Sequence, residues 1–190
     1  MIIPVLAFGH PLLRKVAVDI DKDYPDLQQF IADMFETMYV SNGVGLAAPQ
    51  VNKSIRLFVI DTTPYKEEYP NEESVKRAFI NATIVEETGD EWAFNEGCLS
   101  IPDIREDVMR KPQIRIKYYD ENFVFHDDVI SGAAARVIQH EYDHLEGLLF
   151  VDRINPLRKM MLKRKLSDIS KGIVKADYKM IFPNLKKKTS

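Results

Sequence analysis

A single cysteine, Cys98, in a chain of 190 residues excludes an internal disulfide. The thiol is therefore a buried side chain, a nucleophile or a metal ligand. No run approaches the ~18 apolar residues of a membrane helix. The apolar stretch Met1–Phe8 is short, is broken by Pro4 and has no basic residue ahead of it, which argues against an export signal. The expectation is a cytoplasmic protein with no membrane partner. Repeats and low-complexity tracts are missing. With 8 glycines, 10 prolines, 45% hydrophobic and 29% charged residues, the composition is neither fibrous nor disordered. A chain of this length buries roughly 70% of its unfolded surface, enough for one core without staples, so residues 1–190 are expected to form one domain.

Positive charge is scarce over most of the chain and concentrated at its end. Residues 1–152 hold 14 Lys+Arg against 27 Asp+Glu, whereas residues 153–190 hold 12 against 2. The net charge of −3 thus conceals an acidic body of −13 and a basic segment of +10. Basic terminal segments often meet polyanions such as RNA.

Periodicity places three helices. Leu27, Phe30, Ile31, Met34, Phe35 and Met38 recur at spacings of three and four across residues 26–39, with Pro25 expected in the first turn. Ser131 and Gly147 bracket a second helix over residues 132–146 as N-cap and C′ residue. A third runs over residues 156–170, with Leu157, Met161, Leu162, Leu166 and Ile169 expected on its apolar side. Strands are expected at 55–61, 79–85 and 91–94, and a hairpin joins 114–119 to 123–129 across Asp120-Glu121-Asn122. The polar connection 62–77 is long for a compact domain and is expected to be mobile. The fold class is α+β, with antiparallel sheets packed around a central helix and further helices toward either end. Residues 171–190 have no evident fold beyond a solvated Lys186-Lys187-Lys188.

The second helix carries the pentad His140-Glu141-Tyr142-Asp143-His144. At 100° per residue, His140 and His144 differ by about 40° and one turn, so both imidazoles leave one face and can share a cation. Glu141 sits about 100° round, placed to act as a base on water rather than to ligate. Composition alone yields roughly 0.006 such pentads in a chain of this make-up. Two histidines require a third ligand. Downstream, the position used by one large group of H-E-x-x-H proteases is Phe150, and no Glu follows Glu146, which leaves only Asp152. Upstream, Cys98 stands in Glu96-Gly97-Cys98-Leu99-Ser100. A lone cysteine is more often a small buried hydrophobe, but a Cys-His-His set would leave one tetrahedral position open, as catalytic sites do. His10 and His126 lack a motif and are read as non-ligands.

Three segments, Gly43-Val44-Gly45-Leu46-Ala47-Ala48-Pro49-Gln50, Glu96-Gly97-Cys98-Leu99-Ser100 and Gln139-His140-Glu141-Tyr142-Asp143-His144, together resemble the three motifs of the peptide deformylases. The likeness runs from His10-Pro11-Leu12-Leu13-Arg14 to about residue 153. It implies that Cys98, His140 and His144 hold one divalent cation, Fe²⁺ in cells and Zn²⁺, Ni²⁺ or Co²⁺ in purified protein. It implies that Glu141 moves the proton, that Gln50 and the Leu99 N–H hold the developing oxyanion, and that Gly45 aligns the peptide. The substrate would be a nascent formyl-methionyl polypeptide, hydrolysed to formate and a free N-terminus. Substrate contacts are further expected from Gly43, Val44, Gly45, Glu96, Gly97 and Arg105, and from Ala133, Arg136 and Val137 on the second helix. Arg105 is expected to pair with Glu96 and brace the Cys98 strand. The basic segment is expected to meet the ribosome, and DNA is not an expected partner. Two other readings remain: an internal protease, and an RNA-associated protein with a structural metal.

Overall fold

The computed structural model describes residues 1–183; Lys186-Lys187-Lys188 lies outside the described residues. The hairpin forms as expected from β7 (Gln113–Tyr119) and β8 (Phe125–Ser131), in register from Gln113↔Ser131 to Tyr119↔Phe125. Ile114, Ile116 and Tyr118 alternate inward and are buried, as period-two patterning requires. The sheet continues antiparallel through β4 (Lys76–Thr88) and β3 (Leu57–Asp61) to β2 (Gly45–Ala47), which forms its edge. β3 is buried at every residue, in keeping with its uninterrupted apolar run.

A second antiparallel sheet pairs β5 (Trp92–Cys98) with β6 (Ile101–Arg110). β4 and β5 follow each other along the chain but lie in different sheets. β6 has no counterpart among the sequence expectations. Its inward positions Ile104, Val108 and Arg110 are buried while Asp103, Arg105, Asp107 and Met109 face outward, and the inward arginine disguises the alternation. β1 (Val5–Leu6) and β9 (Met180–Ile181) form a short parallel pair that ties the late chain to its beginning.

α1 (Leu27–Val40) buries Leu27, Ile31, Met34 and Met38 against Leu46, Leu57 and Val59 of the larger sheet. Pro25 precedes the N-cap Asp26 rather than occupying the first turn. α2 (Gly132–Leu145) is central: every residue except Gly132 and Tyr142 is buried. Its Arg, Gln, His, Glu and Asp side chains therefore need partners inside the protein.

Ser131 occupies the N-cap of α2 but makes no side-chain capping bond. The cap comes instead from the 62–77 connection, where Glu72 Oε2 accepts the Ala133 N–H at 2.6 Å. A Cβ on Gly132 would lie 2.3 Å from that carboxylate oxygen, so only glycine admits it. The connection expected to be mobile is thus anchored to α2, and internally by Thr62 N–H to Val75 O at 3.0 Å.

α3 (Pro156–Ser170) starts at Asn155, whose side chain accepts the Leu157 N–H at 2.8 Å. Leu162, Leu166 and Ile169 pack with Ile104 and Val108 of β6. Leu157 and Met161, expected on that face, are 61% and 63% exposed. The first turns of α3 are held by ion pairs instead, Arg158 with Glu106 and Lys159 with Asp152. Among the described residues, no helix is long and apolar enough to cross a membrane.

Candidate active site

β5 ends at Cys98, and α2 presents His140 and His144 one turn apart beneath it. Ligand atoms of the three lie within 4.8 Å of one another, with Cys98 Sγ 3.4 Å from His144 Nε2. A cation ~2.3 Å from sulfur and ~2.0 Å from nitrogen sets such atoms about 3.6 Å apart at tetrahedral angles, so the donor set fits one. Thiolate with two imidazoles suits first-row divalent metals. Asp152 is committed elsewhere, to Arg14, to Lys159 and to the Leu149 N–H. His10 accepts from the Leu12 N–H and His126 bonds Asp120, so neither reaches the cluster.

Glu96 organises the surroundings. Its buried carboxylate meets His140 Nδ1 at 2.9 Å, Arg110 Nε at 2.7 Å and Arg136 Nη1 at 3.3 Å. The first contact directs His140 Nε2 toward Cys98, as outer partners of metal-binding histidines do. Burial alone would raise the Glu96 pKa, but hydrogen bonds from His140 and Arg110 hold it well below the usual carboxylate range. Arg110 extends the network to Asp143 at 2.8 Å, and Asp143 bonds Arg153. Arg105 does not join it: its Nε bonds Asn95 Oδ1 at 2.8 Å, and Arg110 takes the role expected of it. Arg136 is a buried cation, 4.8 Å above the Trp92 ring and bonded to the Trp92 and Val108 carbonyls.

Glu141 is buried, and its Oε2 has no hydrogen-bond partner. Burial pushes its pKa up to about 7; His140 and Arg110 oppose the rise while Glu96 and Asp143 add to it. A Cβ at Gly45 would lie 2.3 Å from Glu141 Oε1, so the carboxylate rests directly on the Gly45 backbone. Gln50 has two tasks. Its Oε1 accepts the Ala47 N–H at 2.8 Å and closes the loop, while Nε2 points to Ser100 Oγ at 3.2 Å and Cys98 Sγ at 3.4 Å.

These groups line one cleft of about 450 Å³. Gly43, Val44, Gly45 and Gln50 form one side, and Glu96, Gly97, Cys98, Leu99 and Arg105 another. Arg136, Val137, His140 and Glu141 contribute from α2. Ala133 does not reach the cleft; it lines a separate small cavity with Tyr69 and Glu72. Sequence reasoning missed Arg110, Asp143, Tyr65, Phe94 and residues 175–178. Asp143 lay within the pentad, and alternation along 101–110 was the available signal for Arg110.

The family model described as Polypeptide deformylase matches residues 2–160. The chain is 54% identical over 194 residues to the peptide deformylase of Christiangramia forsetii, covering 98% of this chain and 99% of that protein. It is 42% identical over 188 residues to that of Salinibacter ruber, covering 95% of each. The crystal structure of a peptide deformylase from Legionella pneumophila aligns with a TM-score of 0.76 at 38% identity, covering 88% of this chain and 95% of that one. The Thermotoga maritima peptide deformylase aligns with a TM-score of 0.72 at 40% identity, over 82% of this chain and 99% of that one. With the motif residues gathered in one cleft and likeness running along most of its length, the chain belongs to the peptide deformylase family, metal-dependent hydrolases that remove the N-terminal formyl group from nascent peptides.

Proposed function

We propose that Cys98, His140 and His144 hold the family's divalent cation in this chain and that the cleft above them takes the formyl-methionyl end of a nascent polypeptide in the cytoplasm. Fe²⁺ is the proposed resident metal, with Zn²⁺, Ni²⁺ or Co²⁺ able to replace it in purified protein. When bound, the cation supplies Lewis acidity, polarising the formyl oxygen and making water nucleophilic near neutral pH.

The protein residues divide the remaining work. Glu141, with its unpartnered oxygen, accepts a proton from the attacking water and returns it to the departing amine. The Gln50 amide and the Leu99 N–H donate to the oxygen on which charge develops, held in place before reaction and so costing little reorganisation. β2 is the edge of its sheet; the Gly43 N–H and the Val44 carbonyl are already bonded to Met38 and Asp61, so it is the outer edge at Gly45 that pairs with an extended substrate as an added strand. Val44, Val137, Tyr65 and Phe94 line the cleft and offer apolar surface to the methionine side chain. Glu96 acts through His140 rather than on substrate.

The convergence of Cys98, His140 and His144 within 4.8 Å, beside an unpaired buried Glu141 oxygen, carries this reading. Anaerobically prepared protein should release formate from formyl-Met-Ala-Ser. No release with Fe²⁺, Ni²⁺ or Co²⁺ loaded would refute it.

The basic end is proposed to dock on ribosomal RNA. Arg158 and Lys159 are engaged by Glu106 and Asp152, while Lys163, Arg164 and Lys165 are exposed and have no ion pair among the described residues. Charge reversal at these three should lower ribosome co-sedimentation, most visibly at low salt, and spare tripeptide turnover. Unchanged co-sedimentation would contradict the docking.

A further inference from the structure

Beyond α3 the chain does not leave the body. Lys175, Ala176, Asp177 and Tyr178 run along the cleft, outside the 2–160 span matched by the family model. β9 follows at once and is stitched to β1, with Val5 N–H donating to Lys179 O and Ala7 N–H to Ile181 O, both at 2.9 Å. Val174, Met180 and Phe182 pack on the apolar cluster that includes Cys98, Ile101 and Phe150. The segment is thus fixed on both sides of Tyr178.

The Tyr178 hydroxyl donates to the Leu99 carbonyl at 2.7 Å. Leu99 and Ser100 form the connection between β5 and β6, where the ladder shifts register between Gly97↔Arg105 and Cys98↔Ile101. Their backbone groups therefore lie outside the regular pairing and need other partners. The Ser100 carbonyl accepts the Phe8 N–H at 2.8 Å, and its side-chain hydroxyl accepts in addition from Gln50 Nε2 at 3.2 Å. Tyr178 supplies the corresponding partner for Leu99. The Phe8 backbone N–H near the start of the chain and the Tyr178 hydroxyl near the end of the described residues thus clamp the turn that follows the Cys98 ligand.

The geometry points to Tyr178 as a positioning residue for deformylation: by holding the Leu99 carbonyl it sets the orientation of the turn whose N–H faces the developing oxyanion. This rests on the assignment of the Leu99 N–H made above. The bond of Tyr178 is to the Leu99 carbonyl, so the role assigned to it is positioning and not contact with the reacting atoms. A donor aimed at an oxyanion is worth on the order of 10²–10³ in kcat, and a residue that aims the donor is worth a part of it.

Tyr178→Phe keeps the ring and removes only the hydroxyl. The expected result is a kcat lower by about 5- to 20-fold, equal for formyl-Met-Ala and formyl-Met-Ala-Ser, with KM and bound Ni²⁺ unchanged. Amide exchange in residues 98–101 should quicken. An unchanged kcat, a loss confined to KM for the longer peptide as expected of a mere cleft wall, or a loss that follows Ni²⁺ content would each overturn the inference. Strap variant Val174→Ala, which leaves the hydroxyl in place, should cost stability without the kcat effect; an equal kcat loss in it would also overturn the inference. Wild-type protein that releases no formate from either peptide would instead refute the proposed function beneath it.

Discussion

Glu96 and His140 are joined by a 2.9 Å contact between carboxylate and Nδ1, made in a site where both residues are buried. It couples the smaller sheet to the central helix and turns the imidazole toward Cys98. The same carboxylate neutralises Arg110 and contacts Arg136, so on the proposed function one residue would serve both metal binding and stability. Glu96→Ala should weaken metal affinity by about 10- to 100-fold. It should also cost roughly 3–5 kcal/mol, since buried Arg136 loses its ion-pair partner and Arg110 keeps only Asp143. Chelator competition and urea denaturation measure the two effects separately.

Gly45 tests the placement of Glu141. Any side chain there collides with the carboxylate, a Cβ standing 2.3 Å from Oε1. Gly45→Ala should retain metal and lose about 100-fold in kcat, the scale of a displacement near 1 Å at a reacting group. Steady-state kinetics with formyl-Met-Ala-Ser and metal analysis check it; a near-native kcat would mean that Glu141 has room to move.

Glu72 caps α2 through the Ala133 N–H, beside a small cavity separate from the cleft. Glu72→Ala should cost about 1 kcal/mol, as loss of an N-cap does, and lower Tm by roughly 2–4 °C in a domain of this size. Calorimetry measures the shift.

Asp152 gives the pH prediction. Burial raises its pKa, but hydrogen bonds from Arg14 and Lys159 outweigh that and lower it to about 2. A folded value below the unfolded one, about 3.9, means that the pair's stabilisation is fully present above that pH. It fades as pH falls toward 2, because the unfolded chain takes up the proton first. Arg14 and Lys159 are 43% and 44% exposed at the side chain, so screening reduces the gain to about 1 kcal/mol. Urea midpoints of wild type and Asp152→Asn should differ at pH 7 and converge as pH drops below 4. A difference constant with pH would contradict the assignment.

Much of the fold was legible because periodicity survives where one face is apolar. α1, α3 and the β7–β8 hairpin lie close to their expected positions. Elements failed where polar groups go inward or a distant residue decides. β6 escaped because Arg110 fills a core position. Ser131 stands at the N-cap of α2 as expected, but local sequence cannot reveal that the capping bond comes from Glu72, separated by 59 positions and brought in by the loop. Leu157 and Met161 fitted the helical stripe, yet α3 meets the body mainly along its later turns. In the site, the pentad and the Gly45, Gln50 and Cys98 segments announced themselves by residue type and spacing. The partners of Glu96, and the return of Tyr178 to Leu99, depend on contacts across the sheet and between remote segments, for which spacing carries no signal.

The central claim is that Glu141 moves the proton while Cys98, His140 and His144 hold the cation without it. Its most direct test is formate release by Glu141→Gln loaded with Ni²⁺, read beside the bound-metal ratio. The account predicts one Ni²⁺ per chain, as in wild type, and turnover lower by about 10²–10⁴. Near-native turnover with metal bound would contradict it.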